Sequence, residues 1–330
     1  MPRRSGRLHK NAAVLPMDAE LQRWVSFWCR RGKKGRQTAR SQAQSLPLSY
    51  RAGGHMLTSK KAVRIIAFLV LTTGCARAAD LPADVQSYKD APGNSWVVTL
   101  GGYAGAETLY PGAKTATPAF IPAIDIHRAG EREWLTLPTD AFSLTLYQSS
   151  NFRIGAAGDY INNRDHRDTS AVNGLNDINY TVEAGGFAEY YPVPFIRTRI
   201  ELLQGLTGAD GFAANLKADY ILRPGPDWIF TAGPRLQVVN TQYESTFFSI
   251  NAPEASRSGL PAFHASGGLN SAGVDATGRY YVNDHFSLRA FADWERLVGD
   301  GADSPIVKSR GSDDQFTIGV GAAFRFNYAR

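Results

Sequence analysis

Cysteine is nearly absent from this chain, and the two present, Cys29 and Cys75, both precede residue 79. No disulfide and no thiol chemistry can therefore operate in the remainder. Histidine is scarce too: His127, His166, His264 and His285 are the only ones after residue 79. Beyond that point there is no apolar run of the length a transmembrane helix needs, and no glycine loop of the phosphate-cradling kind. Acidic residues are missing from one region in particular. Residues 1–78 hold 16 of the 36 Lys and Arg but only Asp18 and Glu20 as acids, which leaves 20 basic against 28 acidic residues and a net of −8 for the rest. The +6 of the whole chain is thus confined to its beginning, and a nucleic-acid partner is excluded.

That basic beginning contains a secretory pattern. From Met56, Lys60, Lys61 and Arg64 form a charged start, Ile65 to Leu71 an apolar middle, and Ala76-Arg77-Ala78 a small-residue exit of the type that signal peptidase cleaves. The expected organisation is a mis-called or unstructured leader at 1–55, a signal peptide at 56–78, a periplasmic segment at 79–95 and a folded domain at 96–330. The alternative, a lipoprotein beginning at Cys75, fits Thr72-Thr73-Gly74 poorly.

Within 96–330 the apolar residues recur with a period of two. Phe316, Ile318, Val320, Ala322, Phe324, Phe326 and Tyr328 alternate with Gln315, Thr317, Gly319, Gly321, Arg325 and Asn327. The same alternation runs through 212–222, 228–238 and 286–295, giving strands with one greasy and one wet face. A soluble sandwich would also alternate. Strands of about ten residues, with aromatics at their ends and an export signal upstream, point instead to an antiparallel transmembrane β-barrel in the outer membrane.

Short connections are expected at 129–131, 149–151, 191–194, 223–227 and 282–285, with longer ones at 106–116, 162–177, 241–270 and 299–314. Short turns facing the periplasm alternate with long outward loops only if Leu137-Pro138-Thr139-Asp140 is also an outward turn, separating strands 132–137 and 141–148. This predicts about twelve strands, with ten the alternative.

Several short motifs occur in a fixed order: Tyr110-Pro111-Gly112, Gly185-Gly186, Tyr243 with Phe247-Phe248-Ser249-Ile250, Glu254-Ala255, Ser258-Gly259-Leu260, Gly267-Gly268 and Asp303-Ser304-Pro305-Ile306-Val307. Together, over roughly 96–328, they resemble the MipA/OmpV family of outer-membrane proteins. The resemblance implies an outer-membrane barrel and a scaffold role, with a periplasmic murein transglycosylase and a murein synthase as partners. Porin-like and adhesive roles are the alternatives that it carries. Membrane lipid and lipopolysaccharide would surround the barrel. The chain departs from an aromatic terminus by ending Tyr328-Ala329-Arg330.

No catalytic residue, metal ligand or cofactor is assigned. His127 and His285 lie beside short turns, whereas His166 and His264 lie in polar loops; Asp165, His166 and Asp168 are read as a solvated loop. The wet strand positions carry Arg153, Asp159, Glu183, Glu189, Arg197, Arg199, Glu201, Lys217, Asp219, Arg235, Asp275, Arg279, Arg289, Asp293 and Glu295. Their mixed signs suggest a filled lumen, with Glu183, Arg197, Arg199, Glu201, Lys217, Asp219 and Arg235 as its charge network. Gly321, Phe324 and Phe326 are the expected assembly signal of a closing strand.

Overall fold

The computed structural model describes residues 95–130 and 133–328. The leader, the signal peptide and nearly all of the 79–95 segment lie outside the described residues.

Eleven strands close into a barrel: β1 (Trp96–Thr108), β2 (Ala116–Arg128), β3 (Phe142–Gln148), β4 (Phe152–Ile161), β5 (Thr181–Val193), β6 (Ile196–Gly205), β7 (Phe212–Leu222), β8 (Trp228–Val239), β9 (Gly268–Tyr281), β10 (Phe286–Leu297) and β11 (Asp314–Tyr328). The ring closes where β1 meets β11, from Trp96↔Tyr328 to Glu107↔Thr317. Alternation decides which side chains face out. Phe316, Ile318, Val320, Phe324 and Tyr328 are exposed, and so are Leu216, Tyr220 and Leu222 of β7. Near the short turns Trp228 stacks on Phe230 at 5.5 Å and lies 4.8 Å from Tyr280, a local aromatic belt of the kind that settles at a membrane boundary.

The architecture is the antiparallel barrel that the alternation implies, with one strand fewer than twelve. A ring with an odd number of strands cannot alternate direction throughout, so one neighbouring pair must run parallel. That pair is β2 and β3, joined in register only at Asp125↔Ser143 and Ile126↔Leu144. Its cause is the connection between them. Expected to be a wall strand followed by an outward turn, 133–141 instead leaves the short-turn end of β2, runs extended inside the barrel, reverses at Leu137-Pro138-Thr139-Asp140 and enters the wall as β3. Trp134, Leu135, Thr136, Leu137, Asp140 and Ala141 are all buried. Six residues at about 3.3 Å each are too few to cross the hydrocarbon as a tilted strand, which explains why this stretch was free to leave the wall.

The long connections fold over the other mouth. They contain a 3₁₀ turn at Ser170–Val172 and helices α1 (Thr241–Phe248), α2 (Ala252–Ser258), α3 (Gly299–Asp303) and α4 (Pro305–Arg310). Asn240 caps α1 by accepting from Tyr243 N. Asn251 and Glu254 form a reciprocal capping box on α2, which Gly259 ends with φ 72°. Tyr243, Phe247, Phe248, Leu297 and Val307 pack as one apolar cluster, and Tyr110, Val172, Leu175, Ile250, Leu260 and Ile306 as a second.

Candidate functional site in the barrel lumen

The inward face of β4 to β9 carries an array of paired charges, and the luminal segment runs through it. Arg197 on β6 sits at its centre, with its guanidinium 2.5 Å from Asp140, 2.8 Å from Glu189 and 2.7 Å from Asp219. Arg199 reaches Glu201 at 2.6 Å and Glu189 at 3.1 Å, its guanidinium stacked 4.2 Å over the Phe187 ring. Arg153 bridges Asp125 at 2.8 Å and Glu189 at 3.1 Å, and lies 5.1 Å over Trp134. Lys217 pairs with Glu201 at 2.8 Å, and Arg235 joins Asp219 at 2.7 Å to Asp275 at 3.1 Å. Each of these five cations faces at least one carboxylate, and Arg153, Arg197 and Arg199 face two or more, which is what allows charges of this number to be taken out of water.

The array also satisfies the luminal backbone. An extended segment away from any sheet has no ladder, so its carbonyls must find donors elsewhere. Arg279 and Arg289 both donate to Thr136 O, at 2.6 and 2.9 Å, and Lys217 donates to Thr139 O at 2.6 Å. Leu135 N donates to the Tyr191 hydroxyl at 3.2 Å and Ala141 N to Glu201 at 3.0 Å. Glu133 anchors the segment's beginning against Arg325 at 3.1 Å and the Tyr281 hydroxyl.

Of the seven expected network residues, six are thereby brought together. Glu183 stands apart: it is buried beside its register partner Asp159, and its Oε1 has no hydrogen-bond partner among the described residues. The pairing of an arginine with Glu183 is not made, because Arg197 and Arg199 lie nearer the short-turn end of β6 and Arg235, on β8, is taken by Asp219 and Asp275. Asp140 and Asp125 are the members that the strand pattern misses. Asp140 lies in a stretch that reads as an outward turn, and the parity of β2 turns Asp125 inward.

Gly321, on the inward side of β11, lies so close to β1 that a Cβ there would stand 2.1 Å from Gly102 O. Phe324 and Phe326 face outward, their rings 6.1 Å apart. The histidines fall in four settings. His127 hydrogen-bonds Asp125 at 2.6 Å inside the lumen, His285 contacts Arg325 O in a turn and His264 is exposed. His166 meets Asp177 at 2.9 Å across its loop, whereas Asp168 contacts Asn163. The side-chain hydrogen bond from Arg167 holds Asp165 down at about 2, and the bond to His166 lowers Asp177.

Except for Gly185-Gly186, which lie in β5, the ordered motifs of the chain gather at the outer cap. Tyr110 and Gly112 sit under α1 and α4, where a Cβ on Gly112 would lie 2.9 Å from Val307 and 3.2 Å from Phe248, and Ser304 Oγ donates to Phe248 O at 2.7 Å. Residues spread over nearly two hundred positions are thus one packed unit. A family model described as "MltA-interacting protein MipA" matches residues 100–326. The chain belongs to the MipA family. No curated protein matches it. Solved structures similar to this MipA-family barrel include the N-terminal β-barrel domain of Pseudomonas aeruginosa OprF, at 17% identity over 54% of this chain and 100% of that one, with a TM-score of 0.24. An outer-membrane channel from Pseudomonas putida F1 gives 10% identity, 74% and 100% coverage and a TM-score of 0.35. Neisserial surface protein A gives 10%, 71% and 97%, and 0.25. The MipA-family chain is an outer-membrane β-barrel.

Proposed function

We propose that this barrel is a closed structural anchor in the outer membrane that holds murein-degrading and murein-synthesising enzymes at the envelope. The observation that carries the reading is the luminal segment, cross-linked to five strands of the wall by buried ion pairs and hydrogen bonds. A diffusion pore would keep that volume wet. The name of the matching family, MltA-interacting protein, supports a transglycosylase partner. A periplasmic enzyme would find its contact on the short-turn end, at 191–194 and 223–227, together with the 79–95 segment. Proline fixes the backbone of both turns and lowers the ordering cost of association.

Two measurements test this. Planar-bilayer recordings of the refolded protein should show no steady openings of porin size; such openings would establish the channel reading instead. Deleting residues 80–92 should reduce co-purification with periplasmic murein enzymes while leaving a heat-modifiable barrel. Undiminished co-purification would remove the segment from the contact. Mass spectrometry of the mature N-terminus, expected at Ala79, fixes where that segment begins.

A further inference from the structure

The barrel wall is incomplete in its long-loop half. β3 begins only at Phe142, level with Gly158 of β4, and pairs with β2 at just two positions. Beyond that point β2 from Ala116 to Ile124 and β4 from Asp159 to Ile161 have no backbone partner on their facing edges among the described residues. The interval is crossed by a side chain, the Tyr160 hydroxyl donating to Phe120 O at 3.3 Å. Pro118 and Pro122, which cannot donate to a ladder, lie on this edge of β2.

Behind the interval is a cavity of about 320 Å³. Tyr110 and Tyr243 of the cap border it on one side, and Thr139 and Asp140 of the luminal segment on the other. The cap borders the cavity at one end and the luminal segment at the other, and the interval between β2 and β4 flanks it on the side of the bilayer. Its edges are apolar: Ile121, Pro122, Phe142 and Ile161. The interior is of the opposite character. Glu107, Asp159, Asp293 and Glu295 line it, none within an ion pair among the described residues, and no Lys, Arg or His borders it. Two acceptors there also lack a donor: Asp293 Oδ2, and Oδ1 of Asn270, whose side chain is only 4% exposed. Buried acceptors of this kind normally have partners.

We propose that this cavity binds a cationic amphiphile, a molecule with an ammonium head and an alkyl chain, which enters sideways from the outer leaflet through the interval between β2 and β4. The carboxylates and the free acceptors receive the N–H donors of the head. Ile121, Pro122, Phe142 and Ile161 receive the part of the chain that leads back to the lipid. A free aqueous cation would have to pass the cap, and an anionic amphiphile would meet like charge. The site does not depend on the scaffold reading, since it faces the outer leaflet.

The test uses the full mature barrel in phosphatidylcholine nanodiscs, titrated calorimetrically with dodecylamine after subtraction of empty discs. Dodecanoate and propylamine serve as comparators. One saturable dodecylamine site is expected, at least tenfold tighter than propylamine, with no saturable dodecanoate binding. Asp293→Asn with Glu295→Gln should weaken dodecylamine at least tenfold, and the milder Asp159→Asn should weaken it severalfold. Heat-modifiable migration reports folding, and if the double variant does not fold the single one decides. Uptake no greater than by empty discs, equal affinity for dodecanoate or propylamine, or unchanged binding by a folded variant would overturn the proposal.

Discussion

The guanidinium of Arg197 touches Asp140 at 2.5 Å, tying the apex of the luminal segment to β6 at the point where the chain reverses. Because Arg197 also holds Glu189 and Asp219, the two ends of this contact are unequal. Removing the aspartate leaves a cation with two remaining carboxylates, whereas removing the cation takes one positive charge from three buried carboxylates at once, leaving Glu189 to Arg153 and Arg199, Asp219 to Arg235, and Asp140 to the more distant Lys217 and Arg199. Asp140→Asn should cost about 1–3 kcal/mol and Arg197→Met about 3–5 kcal/mol. Urea unfolding in lipid vesicles, followed by Trp134 and the other tryptophans, measures both. Equal costs would mean that the segment is held mainly by its backbone contacts.

At the closing seam, clash and recognition can be separated. Gly321→Val puts a branched side chain against Gly102 O and Tyr103, so it should prevent the β1–β11 pairing and abolish heat-modifiable migration. Phe324→Ala with Phe326→Ala removes only outward rings. We expect that double variant to refold in detergent yet to reach the outer membrane in sharply reduced amounts, as quantified by fractionation and immunoblotting. Normal outer-membrane levels would place the assembly signal elsewhere.

The outward face itself can be tested by charge. Val320 is 63% exposed near the middle of β11. An arginine there would enter hydrocarbon at a cost of about 2–4 kcal/mol, falling toward zero near the membrane boundary. Val320→Arg should therefore destabilise the barrel by about that amount in vesicles and Tyr328→Arg by much less. Equal effects would contradict the placement of β11 in the bilayer.

These variants rest on strands whose faces are legible in the sequence, since a period of two assigns each side chain inward or outward without knowledge of its neighbours. The luminal segment is another matter. Glu133 to Asp140 has the composition of a short strand and a proline-bearing turn, and an extended backbone looks the same inside a barrel as in its wall. What distinguishes it is the source of its donors, Arg279 and Arg289, more than 140 residues away. Pairing is similarly hidden. Parity turns Glu183 inward as surely as Glu201, but register sets Glu183 opposite Asp159, whereas Glu201 has Arg199 two residues before it on β6 and Lys217 diagonally across on β7. The cap was legible only as a set of ordered motifs, because helices of five to eight residues carry little periodicity.

Glu244 makes the cap sensitive to pH. It is buried on α1, and burial, with Asp300 of α3 adding repulsion, pushes its carboxyl up to about 7 against the lowering effect of a hydrogen bond from Gly301. In an open cap the same group would ionise near 4.5. Below that value both states carry the proton and nothing is lost. Between about 4.5 and 7 the open cap releases its proton while the closed cap keeps it, so closure weakens as pH rises and then levels off. Hydrogen exchange over 241–248 and 299–303, corrected for its intrinsic pH dependence, should be severalfold faster at pH 8 than at pH 5. Glu244→Gln keeps the shape and removes the titration, so it should flatten that difference and slow exchange at pH 8. An unchanged pH response in the folded variant would assign the sensitivity to another group.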